Sequence, residues 1–162
     1  MMEPEPWMND RIAAAERGEN PTVILKMKSG YAVLGDYQHL PGYCVLIAVP
    51  RAQSLNGLSL EGRAQFTQDM MLIGDAIDAA CKPAKLNYAV MMNLDCFLHG
   101  HIWARYAWEP DAYRMGPAWS YPGETRCDPE VYYTAAKNVA LQAALKAALQ
   151  KRLADIGYWE DA

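Results

Sequence analysis

Asn93-Leu94-Asp95-Cys96-Phe97-Leu98-His99-Gly100-His101-Ile102-Trp103-Ala104-Arg105 sets two of the chain's three histidines two residues apart in an apolar, strand-like run. Side chains alternate faces along a strand, so His99 and His101 point the same way, together with Phe97, Trp103 and Arg105. Two imidazoles beside a guanidinium suit an anionic substrate, above all a phosphate. The same spacing also fits a pair of satisfied surface histidines or half of a metal site. Zinc would need further ligands, and no Cys or carboxylate falls convincingly on the histidine face, so no metal is expected. Cys96 adjoins the run, but the period of two sends it to the opposite face, where a buried core thiol is expected.

Outward from this run, residues 86–92 form a second strand, joined to it through Asn93-Leu94-Asp95. Residues 43–49 are continuously apolar and closed by Pro50, as in a central strand. Residues 22–28 and 31–34 read as a hairpin across Ser29-Gly30. From Ser59, a plausible N-cap, the period changes: Phe66, Met70, Ile73, Ile77 and Cys81 lie on one helix face, and Pro83 sets its limit. Residues 9–17 make a short helix ended by Gly18. Residues 107–126 have little periodicity and hold Pro110, Gly116, Pro117, Pro122 and Gly123; they read as a long surface loop anchored by Trp108 and Trp119. Asp128-Pro129-Glu130 supplies an N-cap, a first-turn Pro and a carboxylate. With Leu141, Leu145, Leu149 and Leu153 at steps of four, this predicts a helix over about 128–156, ended by Gly157. The order is helix, three strands, helix, two strands, loop, helix. That order implies an α+β fold with an antiparallel sheet and packed helices, as a single domain over 1–162.

Composition narrows the function. The net charge of −4 gives no field to attract nucleic acid, so a phosphate site must be a local pocket. No run of about 18 apolar residues is available for a membrane span. Residues 1–6 are acidic and lack a signal-type apolar stretch. The four cysteines are scattered without a C-x-x-C pair, as expected of free thiols in a reducing cytoplasm.

Leu98-His99-Gly100-His101-Ile102, ending in Arg105-Tyr106, resembles the signature of the histidine triad (HIT) superfamily, His-φ-His-φ-His-φ-φ followed by Pro-Arg. Pro41-Gly42-Tyr43-Cys44-Val45-Leu46 occupies the place of that family's Pro-Gly-His turn into an apolar strand. Gly35-Asp36, Leu55-Asn56, Asn87-Tyr88 and Glu109-Pro110 complete a pattern similar to the bacterial diadenosine tetraphosphate hydrolase-like branch, with a core over 22–106. His99 to Ala104 also looks like the active-site strand of galactose-1-phosphate uridylyltransferase, but the chain lacks the length for that enzyme's second half. Phe97 stands where the first triad His belongs, Ala104 where the Pro belongs, and Tyr43 where the upstream His belongs.

The resemblance implies a nucleotide phosphohydrolase or nucleotidyltransferase, cleaving a phosphoanhydride or phosphoramidate at the α-phosphate through a nucleotidyl-histidine on His99. His101 would then relieve charge on the leaving oxygen. A backbone carbonyl at position 97 can orient His99 whatever side chain stands there. Asn93 is a candidate amide donor to the phosphate or a turn residue, and Arg105 a phosphate contact or a structural ion pair. Asp36 is the candidate acceptor for a ribose hydroxyl, and His39 a loop residue at the entrance or simply solvated. No cofactor is implied. The implied partner is a nucleotide such as a dinucleoside polyphosphate, bound by a cytoplasmic homodimer. The alternative is a non-catalytic nucleotide-binding HIT-like module with a degenerate triad.

Overall fold

Five short apolar segments become strands: β1 (Val23–Met27), β2 (Gly30–Leu34), β3 (Cys44–Ala48), β4 (Lys85–Ala89) and β5 (His99–Arg105). They form one antiparallel sheet in the order β1-β2-β3-β5-β4 in a computed structural model that describes residues 5–160. The acidic residues 1–4 lie outside the described residues. The histidine strand is interior, paired on both sides, with Val45 opposite His101 and Ile47 opposite His99 on the central strand β3.

Alternation along β5 sends Gly100, Ile102 and Ala104 to one face of the sheet. Helices α2 (Leu60–Cys81) and α5 (Ala135–Asp155) cover that face. Phe66, Met70, Ile73 and Ile77 from α2 meet Leu145, Leu149 and Leu153 from α5 over the strands. Each such side chain contributes roughly 1.5–3 kcal/mol when fully buried. Ser59 caps α2, its hydroxyl accepting from the Gly62 N–H at 3.1 Å. Gly100 lets α2 ride close to the sheet, since a Cβ there would meet Met70 Sδ at 2.5 Å.

The opposite face is only partly covered. Helix α1 (Arg11–Glu16), capped by Asp10, sets Ile12 and Ala15 against Tyr31, Val33 and Ile47. The remainder of that face, over β3 and β5, stays open beside His99 and His101.

Four local expectations need correction. The C-terminal helix begins at Ala135, not near 128. Asp128-Pro129-Glu130 instead caps a single 3-10 turn, Pro129–Val131. The chain then runs extended because Val131 O accepts from Gln38 N and Tyr133 N donates to Asp36 O, both at 2.7 Å, so a second cap is needed at Thr134. Residues 107–126 are not one loop, for they contain α3 (Asp111–Arg114), a 3-10 turn (Ala118–Ser120) and α4 (Gly123–Arg126). Their anchors are the buried Ala118 and Tyr121, whereas Trp108 and Trp119 are 61% and 45% exposed. Finally, β4 stops at Ala89 and β5 starts at His99, so Cys96 sits in a connecting loop and is exposed rather than buried. All four cysteines are free thiols. Among the described residues, no helix is long and apolar enough to cross a membrane.

Candidate active site

The open face holds a cavity of about 320 Å³ with His99, His101 and Trp103 of β5 along its floor. Tyr43, Val45 and Ile47 lie beside them, and Arg11 and Asp36 form part of the wall. The two imidazoles are perpendicular neighbours, with centroids 4.8 Å apart and planes at 79°.

The partners of the two rings are of opposite kinds. His99 Nδ1 lies 2.8 Å from the Phe97 carbonyl oxygen. A carbonyl only accepts, so the neutral ring carries its proton on Nδ1 and leaves an electron pair on Nε2. His101 Nδ1 lies 2.7 Å from the Tyr43 hydroxyl. Burial, reinforced by His99, lowers the His101 pKa to about 4, so this ring is neutral near pH 7. Burial also pushes the Tyr43 phenol well above its ordinary value, so Tyr43 keeps its proton, and among the described residues its hydroxyl has no acceptor other than His101 Nδ1, to which it donates. His101 therefore bears its own N–H on Nε2. One ring offers a lone pair and its neighbour offers a donor.

The loop before β3 is shaped to hold Tyr43. Gln38 Nε2 donates to the Gly35 and Tyr43 carbonyls at 2.8 and 2.9 Å, while Gly42 N–H donates to Gln38 Oε1 at 2.9 Å. Gly42 takes φ +90°, a left-handed conformation open to glycine. The Tyr43 ring lies against Gly35, where a Cβ would come within 2.1 Å of Tyr43 Cε1. It also stacks on Trp103 at 5.2 Å and 7°. Trp103 in turn stacks on His101 at 4.9 Å and 9°.

The predicted site residues separate on inspection. His99, His101 and Asp36 line the cavity. Asp36 is held by Arg11 in a two-pronged pair at 2.8 and 2.6 Å, which leaves each oxygen a further lone pair. Arg105 does not line the cavity; of its two readings, phosphate contact or structural ion pair, it stands in the ion pair. It is 1% exposed, and its guanidinium donates to Glu109, the Asn87 amide oxygen and the carbonyls of Tyr113 and Gly116. Glu109 also accepts from the Tyr106 N–H and the Tyr121 hydroxyl. Burial raises its carboxyl pKa, but these donors outweigh burial and hold it below the ordinary value. The pair pins residues 106–121 against the end of β5. Asn93 is exposed in the 90–98 loop and absent from the cavity wall, where its neighbours Leu94 and Asp95 stand. Of its two readings, phosphate donor or turn residue between strands, this placement matches the turn residue. His39 lines the cavity instead of being solvated, and both its ring nitrogens are buried without a hydrogen-bond partner among the described residues.

Sequence reasoning missed Arg11, Trp119 and Arg126, and gave Tyr43 no role. Tyr43 shares the alternation of Val45 and Ile47, so the pairing of β3 with β5 was the signal that could have placed it beside the histidines. The other three come from distant segments that no local pattern links to β5. Among the described residues, no group of three or more His, Cys, Asp or Glu is arranged to hold a metal ion.

No protein-family model matches the chain, and no curated protein matches its sequence. Solved structures match its fold. A histidine triad protein from Marinobacter aquaeolei VT8 is 21% identical, with a TM-score of 0.67 over 88% of this chain and 94% of that one. A histidine triad protein from Sinorhizobium meliloti 1021 is 18% identical, with a TM-score of 0.66 over 82% and 93%. A hypothetical histidine triad nucleotide-binding protein from Sulfolobus tokodaii strain7 is 15% identical, with a TM-score of 0.69 over 90% and 95%. The five-stranded antiparallel sheet with its packed helices is thus the fold of the histidine triad proteins.

Proposed function

We propose that the cavity binds a nucleotide and that His99 cleaves it at the α-phosphate, releasing a nucleoside monophosphate in the manner of a diadenosine tetraphosphate hydrolase. The observation that carries this reading is the 2.8 Å contact from His99 Nδ1 to the Phe97 carbonyl, which leaves Nε2 as a nucleophile.

His99 Nε2 forms a bond to the α-phosphorus, and the bond from phosphorus to the bridging oxygen breaks. The leaving oxygen departs with the electron pair and accepts a hydrogen bond from His101 Nε2–H. Positive charge on the His99 ring is stabilised through Nδ1–H by the Phe97 carbonyl. Water then attacks the same phosphorus, the electron pair returns to Nε2, and the water's proton passes to solvent. Positioning and charge stabilisation account for most of such a rate enhancement. Phe97, Leu94 and Ile47 give the His99 end of the cavity an apolar wall suited to a base. Asp36, held on the cavity wall by Arg11, is suited to accept from a ribose hydroxyl.

Incubation with α-labelled dinucleoside polyphosphate, followed by an acid quench, tests the reading. Acid-labile label on histidine and AMP release are expected, with both abolished in His99→Ala. Unchanged turnover in that variant overturns the assignment. Binding with no label at any time point favours the non-catalytic module.

A further inference from the structure

The ladder between β2 and β3 ends unevenly at Gly35 and Tyr43. Opposed residues of an antiparallel pair can exchange two backbone bonds. Gly35 N–H donates to the Tyr43 carbonyl at 2.9 Å, but Tyr43 N–H turns back to the Leu40 carbonyl at 3.1 Å. The Gly35 carbonyl thereby loses its strand partner, and the side chain of Gln38 replaces it. Gln38 Nε2 donates to the carbonyls of Gly35 and Tyr43, and its Oε1 accepts from Gly42 N–H. Gln38 is buried, and its backbone N–H is held from outside the loop by the Val131 carbonyl at 2.7 Å. A single fixed amide thus ties Gly35, Gly42 and Tyr43 together. Asp36, on the same loop, does not depend on that amide. Its carboxylate is paired with Arg11, and its carbonyl accepts from Tyr133 N–H at 2.7 Å. The Tyr43 ring, by contrast, reaches His101 from the residue just before β3, where the turn sets its direction.

We propose that Gln38 is a positioning residue for the donor to the leaving oxygen. Its amide sets the turn so that the Tyr43 hydroxyl meets His101 Nδ1 at 2.7 Å, which keeps the His101 proton on Nε2. Gln38 does not line the cavity, so it acts through Tyr43 and not on the substrate. Its effect on rate rests on the cleavage reading above, whereas its effect on the His101 tautomer does not. Bond making and breaking are those of the proposed reaction.

Gln38→Met keeps the length of the side chain and removes its donor and its acceptor. Gln38→Asn keeps the amide but is one methylene too short to span the same groups. Ring-nitrogen NMR and steady-state AMP release are measured for both variants, for Tyr43→Phe, and for Gln38→Met combined with Tyr43→Phe. The expected result in Gln38→Met is a mixed tautomer on His101, an unaltered Nδ1–H on His99, and a kcat lowered up to about fivefold with KM little changed. Residues that act through one another are not additive, so Gln38→Met added to Tyr43→Phe should lower kcat by less than about twofold more. A wild-type tautomer on His101 in folded Gln38→Met overturns the assignment. So do losses that multiply to about 25-fold in the double variant. A wild type that releases no AMP overturns the cleavage reading, and the His101 tautomer in Gln38→Met still decides the role of Gln38. Thermal melting establishes that each variant is folded, and Gln38→Asn carries the same expected shift where Gln38→Met does not fold.

Discussion

Tyr43→Phe removes one hydroxyl and keeps the ring that stacks on Trp103, so the fold should survive while His101 loses its donor. The lost bond, 2.7 Å in length, has a net worth of about 1 kcal/mol. A hydrogen bond donated to the neutral imidazole stabilises that form, so removing it raises the His101 pKa. At about 1.36 kcal/mol per pH unit, the midpoint should rise by about 0.7 unit. The rise starts from a value near 4, set chiefly by burial. The same 1 kcal/mol, if the Nε2–H donor acts only in the transition state, lowers kcat about fivefold with KM little changed. Two measurements read these effects separately. Ring-nitrogen NMR of labelled protein reports the tautomer and titration of His101, and steady-state AMP release reports the rate. The wild type should show Nε2–H on His101 and Nδ1–H on His99, and the variant should show a mixed tautomer on His101 alone. An Nδ1–H tautomer on His101 in the wild type, or a Tyr43→Phe variant unaltered in both tautomer and midpoint, would refute the reasoning.

Other perturbations follow from the same contacts. Gly35→Ala puts a Cβ about 2 Å from the Tyr43 ring, so it should displace that ring, cost about 1–3 kcal/mol in urea unfolding and reduce turnover at least as far as Tyr43→Phe. Gly123→Ala, which meets nothing within 4 Å, should leave stability within about 0.5 kcal/mol of wild type. Arg105→Leu strands the Glu109 charge in the interior, which costs about 3–5 kcal/mol and should lower the melting temperature by about 10 °C. For pH, the His101 pKa falls on folding from 6.5 to about 4, so the unfolded chain binds the extra proton within that window. Stability from this group is complete above about pH 6.5 and is lost as pH falls toward 4. The loss is about 2 kcal/mol after allowance for partial exposure. Urea unfolding at pH 4.5 and pH 7 should show a smaller difference in His101→Asn than in wild type.

The sheet was legible because its determinants are local. A hairpin turn, an apolar run and a period change at Ser59 each act within a few residues, and the strands and α2 formed where those signals lay. The histidine face was legible for the same reason: alternation along one strand needs no partner. What escaped depends on contacts distant in sequence. Asp128-Pro129-Glu130 does cap a turn, but Tyr133 and Val131 pair with residues 36 and 38, and that pairing delays α5 to Ala135. Arg105 continues the histidine alternation, yet Glu109, Asn87 and two carbonyls take up its donors and turn it from the cavity. Tyr43 became recognisable as a site residue only when β3 lay beside β5.

The difference at position 97 acquires its meaning from two separate consequences. The His99 orientation depends on the backbone oxygen of residue 97, which every residue type possesses. The side chain has another role: Phe97 packs with the cluster of Ile12, Tyr31, Val33 and Ile47, extending the apolar wall at the nucleophile's end of the cavity. A histidine there would bring a polar ring to that wall and a third imidazole close to His99, whose ring centroid lies 5.3 Å from that of Phe97. Tyr43, meanwhile, supplies from the position just before β3 a donor that needs no titrating ring. The proposed reaction needs only two histidines, whose tautomers are opposed by fixed partners, a carbonyl on one side and a phenol on the other. Placing histidine at position 97 would add an ionisable group without adding a missing contact. Phe97→His is therefore expected to leave the His99 tautomer unchanged in ring-nitrogen NMR while weakening base binding, and a changed tautomer in that variant would show the carbonyl alone to be insufficient.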